Sequence, residues 1–156
     1  MHSRIFQFSS EPLTEDDYIT EFDLDEWFVG KIADYAVESS SREYDLEWLA
    51  SFIEPHGAVV DQEKGVVYFP KGFKASYFKK KFKEFKKSAD ELTLEVFAGI
   101  ESDGGFKMYL LESLIEDKFG FYIYIEYLHL QTLDDFIRKL EEGTTYYIGG
   151  VIDYHA

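Results

Sequence analysis

The chain has 156 residues, with 16 Lys and Arg against 31 Asp and Glu, a formal charge of −15 at neutral pH. The length suits one domain, and 46% hydrophobic content marks a folded chain rather than a disordered one. These totals argue against a collagen, a coiled-coil rod and a typical nucleic-acid binder, while the absence of Cys excludes disulfides, thiol nucleophiles and cysteine-based metal centres.

Residues Ser3 to Phe8 read as a short strand carrying Ile5, Phe6 and Phe8. The N-terminal residues lack the apolar segment of a signal peptide. The longest apolar run, Phe119 to Ile125, is far short of the about 20 residues a membrane helix needs. A cytoplasmic protein without a membrane partner is therefore expected. Glu11 to Leu24 is acidic and irregular. From Asp25 to Glu38, Phe28, Ile32, Tyr35 and Ala36 fall on one helical face, with Asp25 as N-cap. After the loop Ser39–Arg42, Asp45 is expected to cap a second helix carrying Leu46, Leu49, Phe52 and Ile53, ended by Pro55 and Gly57.

Ala58–Val60 and Val66–Phe69 form the clearest hairpin, joined by Gln62–Gly65. Phe73 to Ser88 is the strongest amphipathic helix, with Phe73, Tyr77, Phe78, Phe82 and Phe85 among lysines. Leu92 to Ala98 alternates and reads as a strand, and Ser102–Gly105 as a turn. Phe106 to Lys118 fits a helix through Leu110, Leu111, Leu114 and Ile115, although its first residues also suit a strand. Phe121 to Tyr127 is apolar on both faces and reads as a central strand. Thr132 opens a helix as N-cap with Asp135 in the capping-box position, and Gly143 closes it. Thr144 to Tyr154 is a last strand, and Gly149-Gly150 within it predicts a bulge or a close backbone approach. Hairpins mixed with crossovers, and no repeat or linker, predict one α+β domain over residues 1–156, with helices packed on a mixed or mainly antiparallel sheet.

No nucleotide-binding glycine motif, nucleophile elbow, zincin helix or EF-hand loop is present, so no cofactor or metal is expected. Glu126 and His129 match one Glu-x-x-His element, but a di-iron site needs two such elements and two further Glu, on helices. Asp153 and His155 share one side of a strand, as an acid–base pair would, and His56 reads as a turn residue.

Charge is segregated. Residues 71–87 hold eight Lys and one Glu, a net of +7, and the other residues hold 8 basic and 30 acidic groups, a net of −22. Between Glu11 and Glu54 alone, 14 acidic residues face Lys31 and Arg42. The lysine helix is either a solvated face or a docking face for acidic protein surface, on this chain or a second copy. Phosphate binding by it is opposed by the surrounding negative charge. The acidic remainder suits an inhibitor that presents carboxylates to Lys and Arg placed for phosphates. In charge and size alone the chain is similar to compact acidic anti-restriction and toxin-immunity proteins, with no shared motif.

The expectation is a non-enzymatic acidic interaction protein. It binds a basic macromolecular partner, as an inhibitor or DNA mimic does, or self-associates through its basic helix. The acidic docking face is placed at Asp16, Asp17, Glu21, Asp23, Asp25 and Glu26, and the basic one at Lys79, Lys80, Lys83 and Lys87. The alternative is a small enzyme or ligand-binding domain, whose Tyr, His and carboxylate site is assembled by the fold. A deep pocket holding His56, His129 or His155 beside a carboxylate of perturbed pKa would mark it.

Overall fold

The computed structural model describes residues 1–100, 104–125 and 129–156. Seven strands form one mixed, mostly antiparallel sheet in the order β3-β4-β7-β1-β5-β6, with β2 also paired to β7. The two long strands, β1 (His2–Ser9) and β7 (Thr144–His155), run antiparallel at its centre. One edge of β7 carries β4 (Val66–Phe69) along Thr144–Tyr147 and then β2 (Tyr35–Glu38) along Ile152–His155. β3 (Val59–Asp61) pairs with β4, completing the expected hairpin. On the other side β5 (Tyr122–Ile125) is the parallel neighbour of β1, and β6 (His129–Thr132) follows it antiparallel.

Both faces of the sheet are covered. On one, Phe6, Phe8, Phe69, Ile123 and Ile148 pack against α1 (Arg42–Ile53), the start of α2 (Phe73–Asp90) and α5 (Leu133–Lys139). On the other, Ile5, Tyr122, Ile152 and Tyr154 pack against Ile19, Phe28 and Ala33 of the acidic segment. This explains why consecutive residues Ile5 and Phe6 are both fully buried. Each such side chain contributes roughly 1.5–3 kcal/mol of burial. The domain is α+β, as expected.

The centre of the sheet carries the device that the glycine pair predicts. Register shifts between Phe6 and Phe8, so Gly149 and Gly150 lie opposite the single residue Gln7. The Gln7 carboxamide accepts from Gly150 N–H at 2.8 Å and Ile19 N–H at 2.9 Å, and donates to the Asp17 carbonyl at 2.9 Å. A Cβ at Gly149 would overlap that carboxamide, and one at Gly150 would sit 2.6 Å from the Ile19 carbonyl oxygen. From the α1 side Arg42 donates to the carbonyls of Ile148 and Gly149, its guanidinium lying 5.0 Å from the Tyr18 ring centroid. The bulge thus ties α1, the sheet and the acidic segment together.

Several expected elements differ. Residues 25–38 are not a helix. Gly30 sits at φ +106° in a tight turn, Phe28 is buried, and Tyr35–Glu38 joins the sheet as β2. Asp45 is not an N-cap, because α1 begins at Arg42 and Asp45 lies inside it, fully buried. It accepts from Arg4 Nε at 2.6 Å, while the same guanidinium reaches Asp153 at 2.6 Å and lies over Trp48. Residues 92–98 form no strand. Thr93 accepts from Val96 N–H and caps the short helix α3 (Leu94–Phe97). α4 spans Gly104–Ile115, so Phe106 to Ile115 is helical and Gly104-Gly105 opens the helix. Ser102 and Asp103 of the expected turn, and Glu126 and Tyr127 of the expected strand and Glu-x-x-His element, lie outside the described residues. Thr132 caps α5 by accepting from Asp135 N–H at 3.2 Å. The Asp135 carboxylate pairs with Arg138 instead of completing a box. Gly143 does not close α5. It sits at φ +88°, donates to the Phe69 carbonyl at 2.7 Å and turns the chain into β7.

Candidate functional site

The acidic segment is a built layer. Two successive 3-10 turns repeat one sequence device, Thr-Glu-x-Asp at Thr14–Asp17 and Thr20–Asp23. In each, the Thr N–H and hydroxyl donate to the Asp carboxylate three residues on, at 2.9 and 2.8 Å for Asp17 and 2.7 and 3.0 Å for Asp23. These bonds hold the Asp17 carboxyl below its ordinary pKa. Asp25 accepts from the Trp27 indole N–H at 3.1 Å. Asp16 and Glu26 are exposed, whereas Glu21 is half-buried with Oε2 enclosed and without a hydrogen bond among the described residues. The six predicted acidic residues therefore lie on one continuous stretch, of which Asp17, Asp23 and Asp25 also brace the turns. Its aromatic members divide by direction. Phe28 points inward, edge-on to Tyr122 and Tyr154, while Phe22 is 88% exposed and Trp27 42%. Composition marks the charge of this stretch but not the outward projection of Phe22.

The predicted basic residues Lys79, Lys80, Lys83 and Lys87 are all exposed on α2. Two other lysines turn inward. Lys74 donates to the carbonyls of Arg138 and Leu140 at the C-terminal end of α5, at 2.8 and 3.1 Å, and Lys81 pairs with Asp134. The lysine helix is thus partly docked on its own chain, through residues other than those predicted.

A cavity of about 310 Å3 lies between α1, α2 and α4, lined by His56, Tyr77, Lys80, Lys81 and Asp117. His56 is 3.3 Å from the Ser76 hydroxyl and edge-on to Tyr77, and burial with Lys80 nearby pushes its pKa down. Tyr77 donates to Asp134 at 2.7 Å, and burial beside that carboxylate drives its own pKa far up. Tyr77, Asp134 and Lys81 satisfy one another and form a closed group. Asp117 does not belong to it. Burial raises its carboxyl, Lys81 opposes the shift, and no hydrogen bond reaches its carboxylate among the described residues. A larger cavity of about 520 Å3, walled by Trp48, Phe52, Tyr109 and Phe121, shares Asp117 with the first. No linear motif announces Asp117 or Asp134, since each is reached by packing of distant elements.

Asp153 and His155 do not pair with each other. Asp153 takes Arg4 and His2, and His155 lies 3.2 Å from Asp34 and stacks on Tyr35. His129 stands on β6 opposite Ile125. Among the described residues no group of three or more metal-ligating side chains converges, and no helix is long and apolar enough to cross a membrane. No protein-family model, curated protein or solved structure matches this chain.

Proposed function

We propose that the protein acts by binding, as a non-enzymatic interaction protein whose acidic segment docks on a basic macromolecular surface. The observation that carries this reading is the exposed Phe22 ring between Glu21 and Asp23, on turns braced by their own carboxylates and anchored through Gln7. An aromatic anchor inside a charged rim is the usual anatomy of an interaction hot spot. Bracing lowers the ordering cost of docking. Carboxylates so held meet Lys and Arg side chains through charge-assisted bonds. Capture from lysate, compared between the wild type and a variant carrying Asp16→Lys, Phe22→Ala and Glu26→Lys, tests it. The wild type should recover basic proteins that high salt releases and that the variant fails to recover. Equal recovery by both refutes the reading.

The Asp117 cavity favours a second reading, a ligand-binding or acid–base site. A carboxylate of raised pKa, without a hydrogen bond among the described residues and in one cavity with His56, fits a proton donor or the seat of an organic cation. A thermal-shift comparison of phenethylammonium with phenylacetate tests it. Stabilisation by the ammonium alone, lost in Asp117→Asn, supports this reading, and no shift with either compound counts against it.

A further inference from the structure

α2 is 18 residues long, about 27 Å at 1.5 Å per residue, yet its buried residues Phe73 and Tyr77 both lie in its first five positions. Beyond them Phe78 still packs on the core and Lys81 reaches Asp134, while the opposite side of the helix faces outward. Lys79, Phe82, Lys83, Lys86 and Lys87 recur there at i, i+3, i+4, i+7 and i+8, one continuous face. Phe82 is 62% exposed with the Lys86 ammonium 5.7 Å from its ring centroid. Among the described residues the one ion pair of these lysines is Lys87 with Glu91, at 3.9 Å.

The neighbouring helices also expose large apolar side chains. Leu94 and Phe97 of α3, and Ile100 after it, are 70–76% exposed. α4 packs on α2 and α3, carries only Lys107 and Glu112 as charged residues, and buries only Gly104. Phe106 and Ile115 on it are 64% and 58% exposed. A helix this apolar is ordinarily covered.

We propose that the occupant is a second copy of this chain, whose acidic segment seats its Phe22 and flanking carboxylates on the face of α2 that carries Phe82 and these lysines. This rests on the docking reading of the acidic segment above. Charge complementarity selects the occupant. The surface is cationic and apolar together, and this chain carries its counterpart, acidic and aromatic together, on the opposite face of the sheet from α2. A duplex would satisfy the lysines but meet the −22 of the remaining residues. The charge of −15 on each copy repels at long range, but at about 0.15 M salt that repulsion is screened beyond about 8 Å, whereas pairs in contact persist. Because the two surfaces are different patches, association closes as a crosswise two-fold dimer or continues head to tail.

Analytical ultracentrifugation at about 0.15 M salt decides. The wild type should associate, and either Lys79→Glu with Lys83→Glu or Asp16→Lys with Glu26→Lys should raise the dissociation constant more than about tenfold. These four side chains make no hydrogen bond or ion pair among the described residues, so both variants should keep the wild-type circular dichroism. Each variant retains the surface the other has lost. An equimolar mixture of the two monomeric variants should therefore form a heterodimer. A wild type that stays monomeric to about 1 mM, or a mixture that stays monomeric, overturns the second-copy inference. The docking reading of the acidic segment then still rests on its own capture experiment.

Discussion

Gln7→Met keeps the length and volume of the side chain and removes its carboxamide. In the wild type that group accepts from Ile19 N–H and Gly150 N–H and donates to the Asp17 carbonyl, at 2.8–2.9 Å. Gln7 is 9% exposed, so water replaces those partners poorly. Each buried N–H left without an acceptor costs about 1–3 kcal/mol, and the two together predict about 2–6 kcal/mol, a large share of a typical domain stability of about 5–15 kcal/mol. Urea unfolding of the variant and the wild type measures the difference. Amide exchange locates it, and Ile19 and Gly150 should lose protection before Ile5 or Ile152. Docking through the acidic segment should also weaken, because the brace that fixes the segment to the sheet is gone. A loss under about 1 kcal/mol, with Ile19 and Gly150 still protected, refutes the carboxamide as the anchor.

Arg4→Met strands the buried Asp45 carboxylate and should cost about 3–5 kcal/mol by chemical denaturation, with Arg4→Met/Asp45→Leu recovering most of it. Asp117→Asn should stabilise the protein at neutral pH. Burial raises the folded pKa of Asp117 above 3.8, so its contribution is full below 3.8 and lost as pH rises through the folded value. The two stability curves should therefore meet under acid, and a less stable Asn variant at neutral pH would contradict this. His56 has its folded pKa lowered from 6.5, so the stability it contributes is present above 6.5 and lost as pH falls toward the folded value. NMR titration should place its midpoint below 6.5, and His56→Gln should flatten the fall of stability with acid.

Local chemistry in the sequence announces much of this fold. The Val-rich hairpin, the Phe73 helix, the Thr132 cap and the Gly149-Gly150 bulge each rest on residues that dictate their own geometry, and all four stand in the structure. The misreadings arise where tertiary contacts override a periodicity. Phe28, Ile32 and Ala36 have helical spacing, but Gly30 in the left-handed region breaks the run, and pairing to β7 claims Tyr35–Glu38. Asp45 resembles a cap in sequence because nothing local reveals Arg4, 41 residues away, waiting in the sheet. The acidic and basic faces are legible as charge, since charge is a sum over residues. The outward Phe22, the inward Lys74 and Lys81, and the junction at Asp117 depend on which side of an element meets the core.

Zero-length carbodiimide coupling of carboxylate to lysine, on the protein mixed with its captured partner or with itself, followed by peptide mass spectrometry, tests docking through the acidic segment directly. Intermolecular conjugates should concentrate at Asp16 and Glu26 and be lost when Phe22 is replaced by Ala. Glu43, Glu47 and Glu63 are equally exposed but lie outside the acidic segment. Conjugates at these three as frequent as at Asp16 and Glu26 would mean that negative charge is spread for solubility, and that the acidic segment is not a docking site.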